Sequence, residues 1–201
     1  KFEEEGFEVL TTTSQKELAN NSNVWWLNFN DQSSINDFNL ASPIKHIIIA
    51  AGMEPQKNLA DTSPDHLSQM LNIHLVGPIL ILQKIKPYLQ PGGSVTLLSS
   101  PAALKGSYDP IYASAKGAVN ALVKTLAKDF APHIRVNAIS PSLIIDSPVY
   151  KRMTPDFRIK HLNNTLTQKH TTAAECADAI YFLCHNEQIT GQILQVNGGM
   201  V

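Results

Sequence analysis

The sequence predicts an α/β domain built on a doubly wound parallel sheet. Three observations predict it: short apolar segments alternate with helical patterns, several apolar segments lack the polar alternation of half-exposed strands, and the alternation runs along the whole chain. Strands that are apolar throughout are covered on both faces, and alternating strands and helices favour right-handed crossovers. Without a linker or an internal repeat, residues 1–201 are expected to form one domain.

The elements are expected in a regular order. Apolar segments predict strands at 7–12, 24–27, 44–50, 94–99, 134–139 and 192–196. Helical patterns between them predict helices at 33–38, 64–88, 110–130, 155–166 and 173–184. The second helix contains Gly77-Pro78, and since proline removes one backbone hydrogen bond, we expect a kink there.

The beginning of the chain predicts an absent strand. Residues 2–6 resemble the last turn of a helix that stops at Gly6, and no G-x-G-x-x-G motif occurs in the sequence. In nucleotide-binding sheets of this kind, the first strand is central and the glycine-rich turn after it approaches the pyrophosphate. We therefore expect about 20 to 25 residues, with the first strand and its glycine loop, to precede Lys1.

Composition excludes several classes of partner. With 16 basic and 17 acidic residues the formal charge is -1, so no overall field attracts nucleic acid or a membrane surface. No apolar segment reaches the ~20 residues that span a bilayer.

The two cysteines are expected to be core residues in a reducing cytoplasm. Cys176 and Cys184 are expected on one helix, where they are too far apart for a disulfide. A core of this size needs no metal, and none is expected.

Tyr112 and Lys116 are the main candidates for catalysis. They stand four residues apart at the start of a helical pattern, so their side chains share one face. The preceding strand ends in Ser99-Ser100, and the helix leads into another strand at 134–139. A reduced carbonyl oxygen needs a proton donor beside it, and a nearby ammonium favours the phenolate of a tyrosine whose free pKa is about 10.

Several motifs in one order carry a resemblance to a known family. The matching segments are 48–52 (IIAAG), 98–100 (LSS), 112–117 (YASAKG), 135–141 (RVNAISP) and 190–199 (TGQILQVNGG). With these segments the chain resembles a classical short-chain dehydrogenase/reductase in which only the amino-terminal glycine loop is lacking. The resemblance implies a Rossmann-like fold and hydride transfer between NAD(P) and a carbonyl or alcohol. It also implies that Tyr112 is the general acid/base and that Lys116 holds the nicotinamide ribose. A regulatory or scaffold protein that retains the fold without turnover is the alternative function.

Two site assignments remain open. The family's spacing favours Ser99 as the residue that steadies the substrate oxygen, but the second serine of such a pair is the usual catalyst, so Ser100 is preferred. His74 stands where the family has a proton-relay asparagine, as the resemblance implies. A histidine there could hold a water, shuttle the proton itself, or be an ordinary helix residue.

Cofactor contacts follow mainly from the resemblance. The first nucleotide strand ends in 12–14 (TTS) without an acidic residue for the ribose hydroxyls, which favours NADP over NAD and places Ser14 near the 2'-phosphate. Besides Tyr112 and Lys116, the resemblance implies cofactor contacts by Asn28, Ala51, Gly52, Pro141, Ile144 and Ser147. Ser142 replaces the family's usual glycine, at a cost that depends on its backbone angles.

The partners expected are a small carbonyl or alcohol substrate and further copies of the chain. Segment 150–170 has five basic residues and one acidic residue, where the family has its substrate lid. These charges indicate either a solvated helix face or an anionic substrate or carrier. Segment 70–82 is apolar nearly all round, so a homodimer or homotetramer is expected.

Overall fold

The computed structural model describes residues 1–19, 24–40, 42–145 and 147–200. Its strands are β1 (Thr11–Thr13), β2 (Val24–Trp26), β3 (Ile44–Ile49), β4 (Leu89–Leu98), β5 (Ile134–Pro141) and β6 (Ile193–Val196). Its α-helices are α1 (Gln32–Asp37), α2 (Pro64–Leu71), α3 (Gly77–Ile85), α4 (Ala102–Lys105), α5 (Pro110–Asp129), α6 (Pro148–Arg152), α7 (Pro155–Asn163) and α8 (Ala173–His185). A π-helical segment, Asn72–Val76, joins α2 to α3, and single 3-10 turns occupy Lys16–Leu18 and Lys86–Tyr88.

All strand pairings between named strands are parallel, as predicted. Strands β3, β4, β5 and β6 form one four-stranded sheet in that order, and β1 pairs with β2 in a separate two-stranded sheet. In the described part of the chain these two sheets are not joined, so the single sheet expected from the sequence is divided. The expectation that a strand precedes Lys1 stays a prediction.

Helices cover both faces of the four-stranded sheet. One face packs against α3 and α5, where a large cluster of buried side chains includes Ile81, Leu82, Ile85, Val95, Leu97, Val119, Val123 and Val136. The other face packs against α8, where a smaller cluster is formed by Ile139, Cys176 and Leu183. Coverage on both faces explains why most of β5 and the second half of β4 are buried, including polar residues such as Thr96 and Asn137.

The first predicted strand is wrong in its bounds. Residues 7–10 are not in a strand, and β1 begins only at Thr11. The ring of Phe7 lies 5.6 Å from that of Phe2, and 5.7 Å from the rings of both His46 and His185. Packing into this aromatic cluster replaces the strand pairing that the apolar pattern predicts.

The long predicted helix 64–88 is interrupted. Its middle turn is the π-helical segment, in which Gly77 donates its backbone N–H to the Asn72 carbonyl. Pro78 has no N–H for the His74 carbonyl, which explains the break and agrees with the kink expected at this proline. Gly77 also allows a close approach, because a Cβ built there would lie 2.3 Å from Cγ of Phe29.

Helix α8 is the last helix of the fold. Its start is as predicted, and it ends one residue later than predicted. It begins with a capping box, in which Thr172 accepts from the Glu175 N–H and the Glu175 carboxylate accepts from the Thr172 N–H. Both cysteines on it are buried and neither forms a disulfide. No helix in the described ranges is long and apolar enough to cross a membrane.

Candidate active site

Most candidate residues lie at the carboxyl edge of the four-stranded sheet. Strand β3 ends at Ile49 and is followed by the exposed Ala51 and Gly52, and β4 ends one residue before Ser99. Strand β5 ends at Pro141. Parallel strands bring their carboxyl ends to one edge, which is where open α/β sheets bind ligands.

Helix α5 holds Tyr112 and Lys116 next to one another. The Lys116 ammonium lies 5.8 Å from the centre of the Tyr112 ring. It donates a hydrogen bond to the Leu98 carbonyl at 2.7 Å, and Lys116 is only 4% exposed. The expectation that both side chains share one helix face is therefore confirmed, and the lysine is anchored to the end of β4.

The two adjacent serines have different partners. The Ser99 hydroxyl donates to Oδ1 of Asn120 at 2.6 Å and is buried against α5. The Ser100 hydroxyl is a hydrogen-bond partner of the Tyr112 phenol and also accepts from the Ala102 N–H at 3.2 Å. Of the two, only Ser100 faces the tyrosine.

Burial sets the protonation of this pair. Burial raises the pKa of Tyr112; the hydrogen bond from Ser100 lowers it, and the charges of Asp109 and Glu54 raise it further. Burial also lowers the pKa of Lys116 to about 8. The sequence argument expects the Lys116 ammonium and a cationic nicotinamide ring to make the phenol more acidic; in this structure burial is the largest cause, and the pKa of Tyr112 is raised instead.

His74 lies on the π-helical segment and faces Tyr112. The two rings meet edge to face with centres 5.4 Å apart. Nε2 of His74 lies 3.0 Å from the Met53 carbonyl and 3.3 Å from the Met53 N–H, while Nδ1 has no hydrogen-bond partner among the described residues. Burial and the Lys116 charge lower the pKa of His74 to about 3, so the ring is neutral near pH 7.

The structure shows one residue that the sequence argument missed. Asp109, fully buried, is the N-cap of α5 and accepts from the N–H groups of Ile111 and Tyr112, both at 3.0 Å. Its other oxygen accepts from the buried His66 ring at 3.0 Å. The dipeptide Asp109-Pro110 was the available signal, since an acidic N-cap followed by proline is typical of a helix start.

The candidate residues for the adenosine half occupy the first strands and turns. Ser14 is exposed directly after β1. Asn28 follows β2, and its side chain accepts from the Asn30 N–H at 3.0 Å. Lys16 lies with its ammonium 4.5 Å from the Trp26 ring centre, on the side of the same small sheet. These residues therefore all lie at or next to the small sheet formed by β1 and β2.

The candidates after β5 form a folded connection. Ile144 bridges to Thr171, and the Ser147 hydroxyl caps α6 by accepting from the Tyr150 N–H at 3.1 Å. Ser142, which replaces the family's glycine, hydrogen-bonds Thr171 through its hydroxyl at 2.6 Å. Gln168 is the only non-glycine residue with positive φ in the described ranges, so the backbone of Ser142 shows no need for glycine.

Comparisons with known proteins agree with this arrangement. A family model described as enoyl-(acyl carrier protein) reductase matches residues 39–201. The uncharacterized oxidoreductase YmfI of Bacillus subtilis is 31% identical over 166 residues, which cover 80% of this chain and 68% of that protein. The 3-oxoacyl-(acyl-carrier-protein) reductase of Rattus norvegicus is 29% identical over 162 residues, covering 79% and 66%. A solved small-chain dehydrogenase in complex with NADPH has a TM-score of 0.79 and 25% identity, covering 96% of this chain and 97% of that one.

Proposed function

The chain belongs to the short-chain dehydrogenase/reductase family of NAD(P)-dependent oxidoreductases, and we propose that it acts on a small carbonyl or alcohol substrate. In this proposal a hydride passes between NADP(H) and the substrate, and Tyr112 is the general acid/base. The observation that carries this proposal is the convergence of three groups at one sheet edge. Tyr112 contacts the Ser100 hydroxyl on one side and has the Lys116 ammonium 5.8 Å from its ring on the other. A phenol, a hydroxyl and an ammonium together suit a carbonyl oxygen that gains negative charge.

The residues present fit a nicotinamide cofactor. Ala51 and Gly52 are exposed after β3, so the backbone of this turn is accessible to a bound molecule. When bound, the cofactor supplies or accepts the hydride. We propose that it is held by Tyr112 and Lys116 together with Ser14, Asn28, Ala51, Gly52, Pro141, Ile144 and Ser147.

NADP is the preferred form of the cofactor. Three threonines form β1 and the exposed Ser14 follows, so no carboxylate at this strand end would repel a 2'-phosphate. A solved structural neighbour binds NADPH, which supports the same preference. Competition between NADPH and NADH for binding tests it, with tighter NADPH binding expected.

In the direction of reduction, Tyr112 gives its phenolic proton to the carbonyl oxygen as the hydride reaches the carbonyl carbon. The raised pKa of Tyr112, which burial causes, keeps this proton in place at neutral pH. Ser100 donates a hydrogen bond to the same oxygen, whereas the hydroxyl of Ser99 is engaged with Asn120. Lys116 would hold the ribose hydroxyls of a bound nicotinamide cofactor and would return a proton to the phenolate.

His74 acts as a neutral hydrogen-bonding group. Its pKa of about 3, lowered by burial and by Lys116, leaves the ring with a single N–H near pH 7, so it supplies no imidazolium proton. Its Nε2 contacts the backbone of Met53, which places the turn after Gly52 beside Tyr112. Its Nδ1 is buried without a hydrogen-bond partner among the described residues, and the histidine takes the place that a proton-relay asparagine has in the family.

Turnover of a panel of carbonyl compounds tests the proposal. Loss of NADPH absorbance with small ketones, diketones and 3-oxoacyl thioesters is expected for at least one compound. The thioesters are included because a relative is a 3-oxoacyl-(acyl-carrier-protein) reductase. Tight NADPH binding with no turnover in either direction would instead indicate the regulatory alternative.

The chain is further proposed to form homodimers or homotetramers in the cytoplasm. Ile79 on α3 is 40% exposed and lies along one groove with Leu126 of α5 and with Phe130, the residue directly after α5. Pairing of these helices across a two-fold axis would cover the groove. The buried, unpaired thiols of Cys176 and Cys184 suit a reducing compartment. Sedimentation at micromolar concentration checks the oligomer, and a monomer would contradict it.

A further inference from the structure

Asp109 joins three separate parts of the active site. One carboxylate oxygen accepts from the N–H groups of Ile111 and Tyr112, which fixes the first turn of α5. The other accepts from the N–H groups of Gln56 at 2.9 Å and Lys57 at 3.2 Å. The second pair belongs to residues 53–57, here called the β3 loop, which follows Gly52. One buried side chain therefore connects the tyrosine helix to this loop.

His66 of α2 completes the arrangement. Its Nε2 lies 3.0 Å from the same Asp109 oxygen that holds the β3 loop, and its side chain is 4% exposed. A carboxylate only accepts hydrogen bonds, so Nε2 carries the hydrogen and donates it. Burial disfavours the charge of Asp109, but the backbone N–H groups of Gln56, Tyr112 and Lys57, with His66, outweigh it and lower its pKa.

The β3 loop lies beside the reacting groups. Met53 at its start contacts His74, and the Pro55 carbonyl accepts from the Tyr108 hydroxyl. Glu54 pairs with Arg152 of α6 on the outer side. Asp109 holds the far end of the loop, so its five hydrogen bonds set the distance between the loop and Tyr112.

Asp109 also contributes its charge at the tyrosine. The groups that face Tyr112 are Ser100 from the end of β4, His74 from the π-helical segment, Glu54 from the β3 loop, and Lys116 and Asp109 from its own helix. Burial is the main cause of the raised pKa of Tyr112, and the charges of Asp109 and Glu54 add to it. A raised pKa makes the phenol a weaker acid, so this charge holds the proton on Tyr112 and moves the formation of the phenolate to higher pH.

We infer that Asp109, held by His66, is a positioning residue that sets the place of Tyr112 relative to the β3 loop and acts on its phenol through the buried carboxylate charge. This role rests on the proposed reductase function. Asp109 does not touch the substrate; it acts through the first turn of α5, through the β3 loop and through its charge.

Three variants separate the effect of the charge from that of the hydrogen bonds. Asp109→Asn removes the charge and replaces one acceptor oxygen by an NH2 group. In either orientation of the amide, this NH2 group faces backbone N–H groups that need an acceptor. We expect kcat to fall about 100-fold with NADPH affinity unchanged. The pH profile of alcohol oxidation should move to lower pH, because loss of the carboxylate lowers the pKa of Tyr112. His66→Leu keeps the charge, so kcat should fall about 10-fold without a pH shift, and His66→Gln, which retains a donor, should restore most of it.

Amide hydrogen exchange adds a readout that does not depend on turnover. With NADPH present, the amides of Gln56 and Lys57 should exchange at least about 10-fold faster in Asp109→Asn than in the wild type. Asp129→Asn is the matched control: it lies at the other end of α5, exposed and paired with Lys86, and should change neither kcat nor exchange.

The outcomes distinguish this inference from the proposed function. If the wild type turns over no carbonyl or alcohol, the proposed function fails and this role fails with it. If the wild type is active and Tyr112→Phe is inactive, but folded Asp109→Asn and His66→Leu retain wild-type kcat and pH profiles, the inference alone is overturned. An equal loss of kcat in His66→Leu and His66→Gln would also contradict the inference, because the hydrogen bond donated to Asp109 would then not explain the effect of His66.

Discussion

Replacing Lys116 by methionine should stabilise the protein while it abolishes turnover. The lysine is 4% exposed, and burial lowers its pKa from 10.5 to about 8. Burying an ammonium group lowers the free energy of unfolding, although the proposed chemistry requires the group. Methionine is an apolar side chain of similar length, so the variant would not carry this cost.

The size of the effect follows from the pKa. Each tenfold change in the protonation equilibrium is worth about 1.4 kcal/mol, so lowering the pKa to about 8 corresponds to about 3 kcal/mol of destabilisation at pH 7. Methionine leaves the Leu98 carbonyl without its lysine donor, which costs about 1 kcal/mol. The net gain is about 2 kcal/mol, or about 4 to 8 °C in Tm for a chain of this length.

The gain should also depend on pH. Between about pH 8 and pH 10.5 the unfolded state binds more protons at Lys116 than the folded state does, so wild-type stability rises there. The difference between wild type and Lys116→Met is therefore largest below pH 8 and shrinks above it. Thermal unfolding without cofactor, from pH 7 to pH 10, measures this. Lys124→Met, exposed on the same helix, is the control. A Lys116→Met protein that is no more stable at pH 7, or a difference that stays constant with pH, would refute the reasoning.

Two further predictions concern the serines and the helix break. Ser100→Ala should lower kcat at least about 10-fold with little change in Tm, since its hydroxyl faces the reacting oxygen. Ser99→Ala should instead cost about 1 kcal/mol of stability through its lost bond to Asn120 and leave kcat near that of the wild type; the reverse pattern in steady-state kinetics would exchange their roles. Gly77→Ala should destabilise by about 1 to 3 kcal/mol in urea unfolding, because its Cβ would overlap the Phe29 ring. An unchanged midpoint would contradict this close contact.

The alternation of strands and helices could be predicted from the sequence because β4 and β5 are covered on both faces. Their short, β-branched segments stand between longer helical patterns, and that alternation favours strands. Residues 7–10 have the same apolar character, but Phe7 packs on rings that are distant in sequence. Local pattern cannot distinguish an aromatic cluster from a strand, and this is why that prediction failed.

The candidate site was predictable in its residues but less so in its electrostatics. The spacing of Tyr112 and Lys116 fixes one helix face, and the structure brings Ser100 to the same place. The direction of the pKa shift depends on how much water the fold removes, which no spacing reveals. Asp109 was missed for a similar reason, because its partners Gln56 and His66 lie far away in the sequence.

The most direct test of the account is the turnover of Tyr112→Phe with NADPH and a compound that the wild type reduces. Phenylalanine keeps the ring that meets His74 and removes only the hydroxyl that gives the proton. The account predicts that kcat falls by about 100- to 10,000-fold while NADPH still binds with wild-type affinity. Reduction by Tyr112→Phe at the wild-type rate would contradict it, because the proton would then come from another group.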